Sequence, residues 1–144
     1  MYVDAKLLLS DAQAVTASAD STNIIDAGIA RDIGTGETLY MVTVCDVTMA
    51  DTGSDSTITV ALQGDSTTTI TPDATQDLYV FPALSAAGTV KYAKLDPGSA
   101  PLQYQYINVA YTVAGGNLSA GSFTSFITTD ISKYESYASG FTIS

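Results

Sequence analysis

The 144-residue sequence holds no histidine, no tryptophan and a single cysteine, Cys45. Without His, the side chain that most often serves as general base and metal ligand is missing, and one Cys cannot form a disulfide within the chain. Positive charge is scarce too: five Lys and Arg stand against fifteen Asp and Glu, a formal net charge of −10. Such a surface repels phosphate backbones and anionic headgroups, so no nucleic acid and no membrane is expected as a partner. No apolar run approaches the ~20 residues of a membrane-crossing helix. The opening Met1-Tyr2-Val3-Asp4-Ala5-Lys6 is not a basic stretch leading into a long apolar one, and Leu7-Leu8-Leu9 is too short to serve. No Sec-type export is therefore expected, and the reading is a soluble chain made in a cytoplasm, where a lone thiol is at home.

Little catalytic chemistry remains. A Ser nucleophile would need Lys as its base, and Lys6, Lys91, Lys94 and Lys133 show no Ser-x-x-Lys spacing. Gly34-Thr35-Gly36 leads into a strand pattern and not a helix, so it is no dinucleotide fingerprint. Asp51-Thr52-Gly53-Ser54-Asp55 lacks the spacing and terminal Glu of a calcium loop and reads as a turn. Most acids are Asp beside Gly, Ser, Thr or Pro, where a short carboxylate bonds its own backbone. No catalytic, cofactor-binding or metal-binding residue is assigned, and the expectation is a protein that is not an enzyme.

What the chain does have is alternation. Residues 39–47 place Leu39, Met41, Thr43, Cys45 and Val47 on one face and Tyr40, Val42, Val44 and Asp46 on the other, a strand covered on both sides, with Cys45 a small core residue. In 57–63, Ile58, Val60 and Leu62 face inward and Thr57, Thr59, Ala61 and Gln63 outward, a half-buried strand. Residues 67–71 are β-branched and end at Pro72, predicting another strand, with a loop through Asp77 and a short edge strand, 78–81, before Pro82. Residues 88–95 close at Asp96-Pro97-Gly98-Ser99, with type II turn chemistry. Residues 104–113 and 123–131 predict a long hairpin across Gly115-Gly116-Asn117. Weaker strands precede Ser10 and surround Ile24.

The fold class predicted is all-β: a two-sheet, jelly-roll-like sandwich of about eight strands with extended terminal segments, an immunoglobulin-type sandwich being the alternative. The divisions are 1–23 as an N-terminal strand and extended arm, 24–131 as the β-sandwich, and 132–144 as a C-terminal aromatic tail. Residues 10–23 are small and polar, with too little apolar surface for a core element. Tyr104, Tyr106 and Tyr111 suit either packing within a sheet or a sugar-binding face.

Several stretches carry a family resemblance: Ser10-Asp11-Ala12-Gln13-Ala14-Val15-Thr16, Ser21-Thr22-Asn23-Ile24-Ile25-Asp26, Ala30-Arg31-Asp32-Ile33-Gly34-Thr35-Gly36-Glu37 and Leu39-Tyr40, then Leu95-Asp96-Pro97-Gly98, Tyr111-Thr112-Val113 and Leu118-Ser119-Ala120-Gly121. In order and spacing they resemble the capsid cement, or decoration, proteins of short-tailed bacteriophages, of the Bordetella-phage type. The resemblance implies a non-enzymatic jelly roll, synthesised in the host cytoplasm, that binds the exterior of an assembled icosahedral virion capsid. There it would bridge neighbouring subunits of the major capsid protein as a homodimer. A glycan- or receptor-binding module of a phage fibre is the alternative. On the cement reading, the residues expected to meet the capsid lie in the flanking segments: Tyr2, Asp11, Gln13, Val15, Tyr134, Tyr137 and Phe141.

Overall fold

The computed structural model describes residues 7–28, 38–69, 71–96, 98–129 and 131. They form nine strands: β1 (Leu8–Ala14), β2 (Ala19–Asp20), β3 (Ile25–Asp26), β4 (Leu39–Ala50), β5 (Thr57–Asp65), β6 (Ala74–Phe81), β7 (Val90–Leu95), β8 (Tyr106–Ala114) and β9 (Ala120–Thr128), with one turn of 3₁₀ helix at Ala100–Gln103. One sheet has the order β1-β9-β4-β7, the other β2-β8-β5-β6 with β3 also on β8. All pairings are antiparallel.

The pairing is nested. β1 meets β9, β2 and β3 meet β8, β4 meets β7, and β5 meets β6, so the chain is one long double ribbon folded at the β5–β6 turn. The ribbon rolls up through two further ladders, β4 on β9 and β5 on β8. This is the jelly roll, and its strand order excludes the immunoglobulin alternative.

Between the sheets the expected inward residues meet: Met41 and Cys45 of β4, Ile58, Val60 and Leu62 of β5, and Ile107, Val109 and Tyr111 of β8 all belong to one buried cluster. Within it Phe81 meets Phe123 edge-on at 5.1 Å between ring centroids, and Tyr111 lies tilted against Phe123 at 5.8 Å. Through this apolar layer runs a chain of hydroxyls. Tyr79 OH is 2.7 Å from Thr43 Oγ1, which is 2.8 Å from Ser125 Oγ; Tyr111 OH lies 2.6 Å from Ser125 Oγ and donates to Ser10 Oγ at 2.9 Å. Burial pushes the Tyr79 and Tyr111 hydroxyls above the ordinary phenol range, so both stay neutral.

Four expectations need correction. The hairpin of 104–113 with 123–131 does not form: β8 and β9 lie in different sheets. The intervening chain crosses over because Leu118 N–H donates to Thr16 C=O and Ser119 N–H to Ala50 C=O, both at 2.8 Å, while Leu118 caps the core at 5% exposure. Of the strand expected over 67–71, the described residues 67–69 and 71 are not in a strand. The Asp65 carboxylate accepts the Thr67 N–H, its hydroxyl and the Thr71 N–H, so local acceptors win over a ladder despite the β-branched side chains. Asp77 is not in a loop, since β6 starts already at Ala74.

The fourth correction concerns 10–23, expected as an extended arm. β1 forms an edge of the first sheet and β2 joins the second. Ser21 N–H donates to Val109 C=O at 2.7 Å, Asn23 N–H to Leu9 C=O at 2.9 Å, and Val113 N–H to Ser18 Oγ at 2.9 Å. The segment is held by backbone and hydroxyl bonds, not by apolar area.

Removing the Tyr111 hydroxyl leaves Ser10 and Ser125 each short of a buried partner. Tyr111→Phe is expected to lose about 1–3 kcal/mol of stability, read as a lower urea midpoint at unchanged m value. Tyr92→Phe, on an exposed ring, is expected to stay within about 0.5 kcal/mol. Equal midpoints for the two variants would refute the role of the hydroxyl chain.

Candidate functional site

The residues expected to meet a partner divide sharply. Tyr2, Tyr134, Tyr137 and Phe141 lie outside the described residues. Val15 is 1% exposed and packs in the core, so it is withdrawn from any docking surface: the chain turns inward after β1, where Val15 N–H donates to Gly121 C=O at 3.0 Å. Gln13 is half-buried and already engaged. Its Oε1 accepts from Ser10 Oγ at 3.0 Å and from Thr22 N–H at 2.9 Å, and its Nε2 donates to Asp20 C=O at 2.8 Å. Of the three described candidates only Asp11 is exposed, on a strand bulged twice against β9. Beside it Ala12 holds φ +45°, a left-handed conformation that disfavours a side chain. Its N–H is tied at 2.9 Å to Thr124 Oγ1, which donates to Asp46 Oδ2.

The acids behave as turn-makers. Asp51 accepts the N–H groups of Asp55 at 3.0 Å, Ser56 at 3.1 Å and Gly53 at 3.2 Å. These bonds, that of Asp55 foremost, hold its carboxyl down from the ordinary 3.8 to about 2. Asp65 is lowered in the same way, first by the Thr67 N–H. Asp73 accepts both the N–H and the hydroxyl of Ser66. Among the described residues no group of three or more His, Cys, Asp or Glu is placed to hold a metal.

Two open depressions mark the second sheet. One, of about 380 Å³, lies between Thr75 and Gln76 of β6 and Asp96, Ser99 and Pro101. The other, of about 260 Å³, lies on the outer face, over Gln63, Ala110 and Thr112 beside Ser18 and Asp20. Gln63 stands opposite Asn108, and Gln63 Oε1 and both polar atoms of the Asn108 amide are shielded from water with no hydrogen-bond partner. Neither depression sets a nucleophile beside a base. Tyr111, a candidate sugar platform, is 1% exposed and belongs to the core.

The first sheet has an apolar outer face, which the doubly apolar pattern of 39–47 signals. Val42 and Phe126 are 0% and 2% exposed there and pack with Ile131, with Leu8, Tyr40, Val44 and Val90 around them. At the edge of this face Tyr92 is 41% exposed and meets Tyr40 edge-on at 6.4 Å. Sequence reasoning passed over β7 as a partner surface, although Val90-Lys91-Tyr92-Ala93-Lys94 carries two of the chain's few cations.

The family model of Bbp16 matches residues 9–127, a span that runs from β1 into β9. No curated protein matches the chain.

The lowered carboxyls make stability pH-dependent. Each has a folded pKa below its unfolded value, so its contribution is complete above about pH 4 and is lost as pH falls toward the folded value, near 2 for Asp51. The melting temperature is expected to hold from about pH 7 to 5 and to fall from about pH 4 to 2. Asp51→Asn is expected to melt lower at neutral pH and to show a shallower acid decline; identical acid slopes in both proteins would refute the assignment.

Proposed function

Because the chain belongs to the Bbp16 family, a family of Bordetella phage proteins, we propose that it is a structural virion protein that binds the outer surface of the assembled icosahedral capsid and cements neighbouring major capsid subunits. The observation that carries this reading is the phage-family match over both sheets of a jelly roll. In this reading the protein is not an enzyme and uses no cofactor or metal; its work is to stay rigid while holding other subunits. The buried hydroxyl chain and the doubly covered first sheet supply that rigidity. A net charge of −10 suits an outward face and disfavours the DNA-lined interior. The protein acts as a homodimer, so that each unit grips two subunits across a two-fold axis.

The test adds purified protein to phage heads that lack it. Co-sedimentation at capsid-like stoichiometry, with heads that then resist higher temperature, is the expected result. Sedimentation velocity at micromolar concentration is expected to give the mass of a dimer. No binding to heads, together with a specific hit on a glycan array, would instead establish the fibre-module alternative.

A further inference from the structure

The four sheet edges are not alike. β1 is bulged at two places, β2 and β3 are two residues each, and β6 breaks register against β5 between Val60 and Ala61. Short and bulged edges resist the addition of another strand. β7 differs: it runs in unbroken register against β4, from Leu39↔Leu95 to Val44↔Val90. Among the described residues nothing pairs with its other side.

That edge also carries the described positive charge. Of the five bases in the chain, Lys91 and Lys94 are the two among the described residues, and both lie on β7. Lys94 and Tyr92 are exposed, and no acid forms an ion pair with either lysine among the described residues. The edge therefore offers three things at once: a straight row of backbone donors and acceptors, a cationic ribbon on an acidic protein, and an exposed ring at its centre.

We propose that the free edge of β7 is the seam where a partner docks, and that the partner contributes an extended acidic segment that adds as a strand beside Val90–Leu95. The proposal rests on the capsid reading and gives it an address, with the acidic segment belonging to the capsid subunit. Main-chain bonds supply affinity in such strand addition, and alternate side chains supply selectivity. Acids facing Lys91 and Lys94 set the register and steer the encounter. A second copy of this chain is disfavoured here, because pairing two β7 edges gathers four lysines along one short ribbon.

Lysines on an edge strand can also serve to repel other strands, and charge reversal separates the two roles. Glutamates would guard the edge equally well but would destroy complementarity to an acidic strand. The full-length Lys91→Glu/Lys94→Glu variant is expected to keep its melting temperature and to bind cement-free heads about tenfold more weakly. Wild-type binding is expected to weaken as salt rises from about 0.05 to 0.5 M. Amide exchange across 90–95 is expected to slow when heads are bound. Equal binding by the variant, or protection confined to other strands, overturns the proposal. If the wild type ignores heads altogether, the capsid reading fails, and the edge is judged with a synthetic extended valine- and threonine-rich peptide whose two glutamates stand three residues apart, one for each face of the strand, as Lys91 and Lys94 do. Amide shifts on β7 in the wild type that vanish in the variant support the seam; shifts elsewhere, or none, overturn it.

Discussion

Five hydroxyl groups lie between the two sheets, and they can all be satisfied only in one mutual register. Ser10, Thr43 and Ser125 come from three strands of the first sheet, Tyr79 and Tyr111 from two strands of the second. A buried hydroxyl without a partner is costly, whereas apolar contacts tolerate sliding. A slip of one residue in any of these strands would turn its hydroxyl to the other face. The apolar layer thus drives the sheets together, and the hydroxyl chain selects the arrangement in which they stop. The ring cluster of Phe81, Phe123 and Tyr111 fills the space left around it.

Much of this was legible in the residues. Strict alternation located β4, β5 and β8, because an inward Ile58, Val60 and Leu62 leaves few other ways to bury them. The doubly apolar 39–47 announced a strand in contact on both faces, and Val42 and Phe126 bear that out, but Val47, expected on the face of Cys45, is 48% exposed because the register shifts between the two. What could not be read was partner choice. β8 and β9 are joined by glycines that look like a hairpin, yet their ladders go to strands far upstream, and no local signal encodes that. Residues 10–23 failed for a different reason: their stabilisation lies in main-chain and hydroxyl bonds, which composition does not display. Of the seven residues expected at the capsid, Tyr2, Tyr134, Tyr137 and Phe141 fall outside the described residues; Val15 is spent on the core and Gln13 on its own loops, which leaves Asp11.

Charge is distributed with a purpose that composition averages away. Asp51, Asp65 and Asp73 each spend their oxygens on neighbouring N–H and hydroxyl groups, which makes loops stiff without apolar cost. Loops of this kind hold their shape in solution, so a partner pays little entropy to order them. Lys91 and Lys94, the described cations, sit apart from these loops on one strand, giving the described acidic surface a direction.

The nested pairing also sets a timetable for synthesis. β1 is complete at Ala14, but its ladder partner among the described residues, β9, is not finished until Thr128. At typical ribosomal speeds the first strand waits on the order of ten seconds for its mate. A strand left open that long invites pairing with a neighbouring nascent chain. Ser10, Asp11 and Gln13 leave β1 polar for its position, and the bulges keep it from lying flat. The features that disguise this segment as a loose arm are those that let it remain single and dissolved until β9 leaves the ribosome.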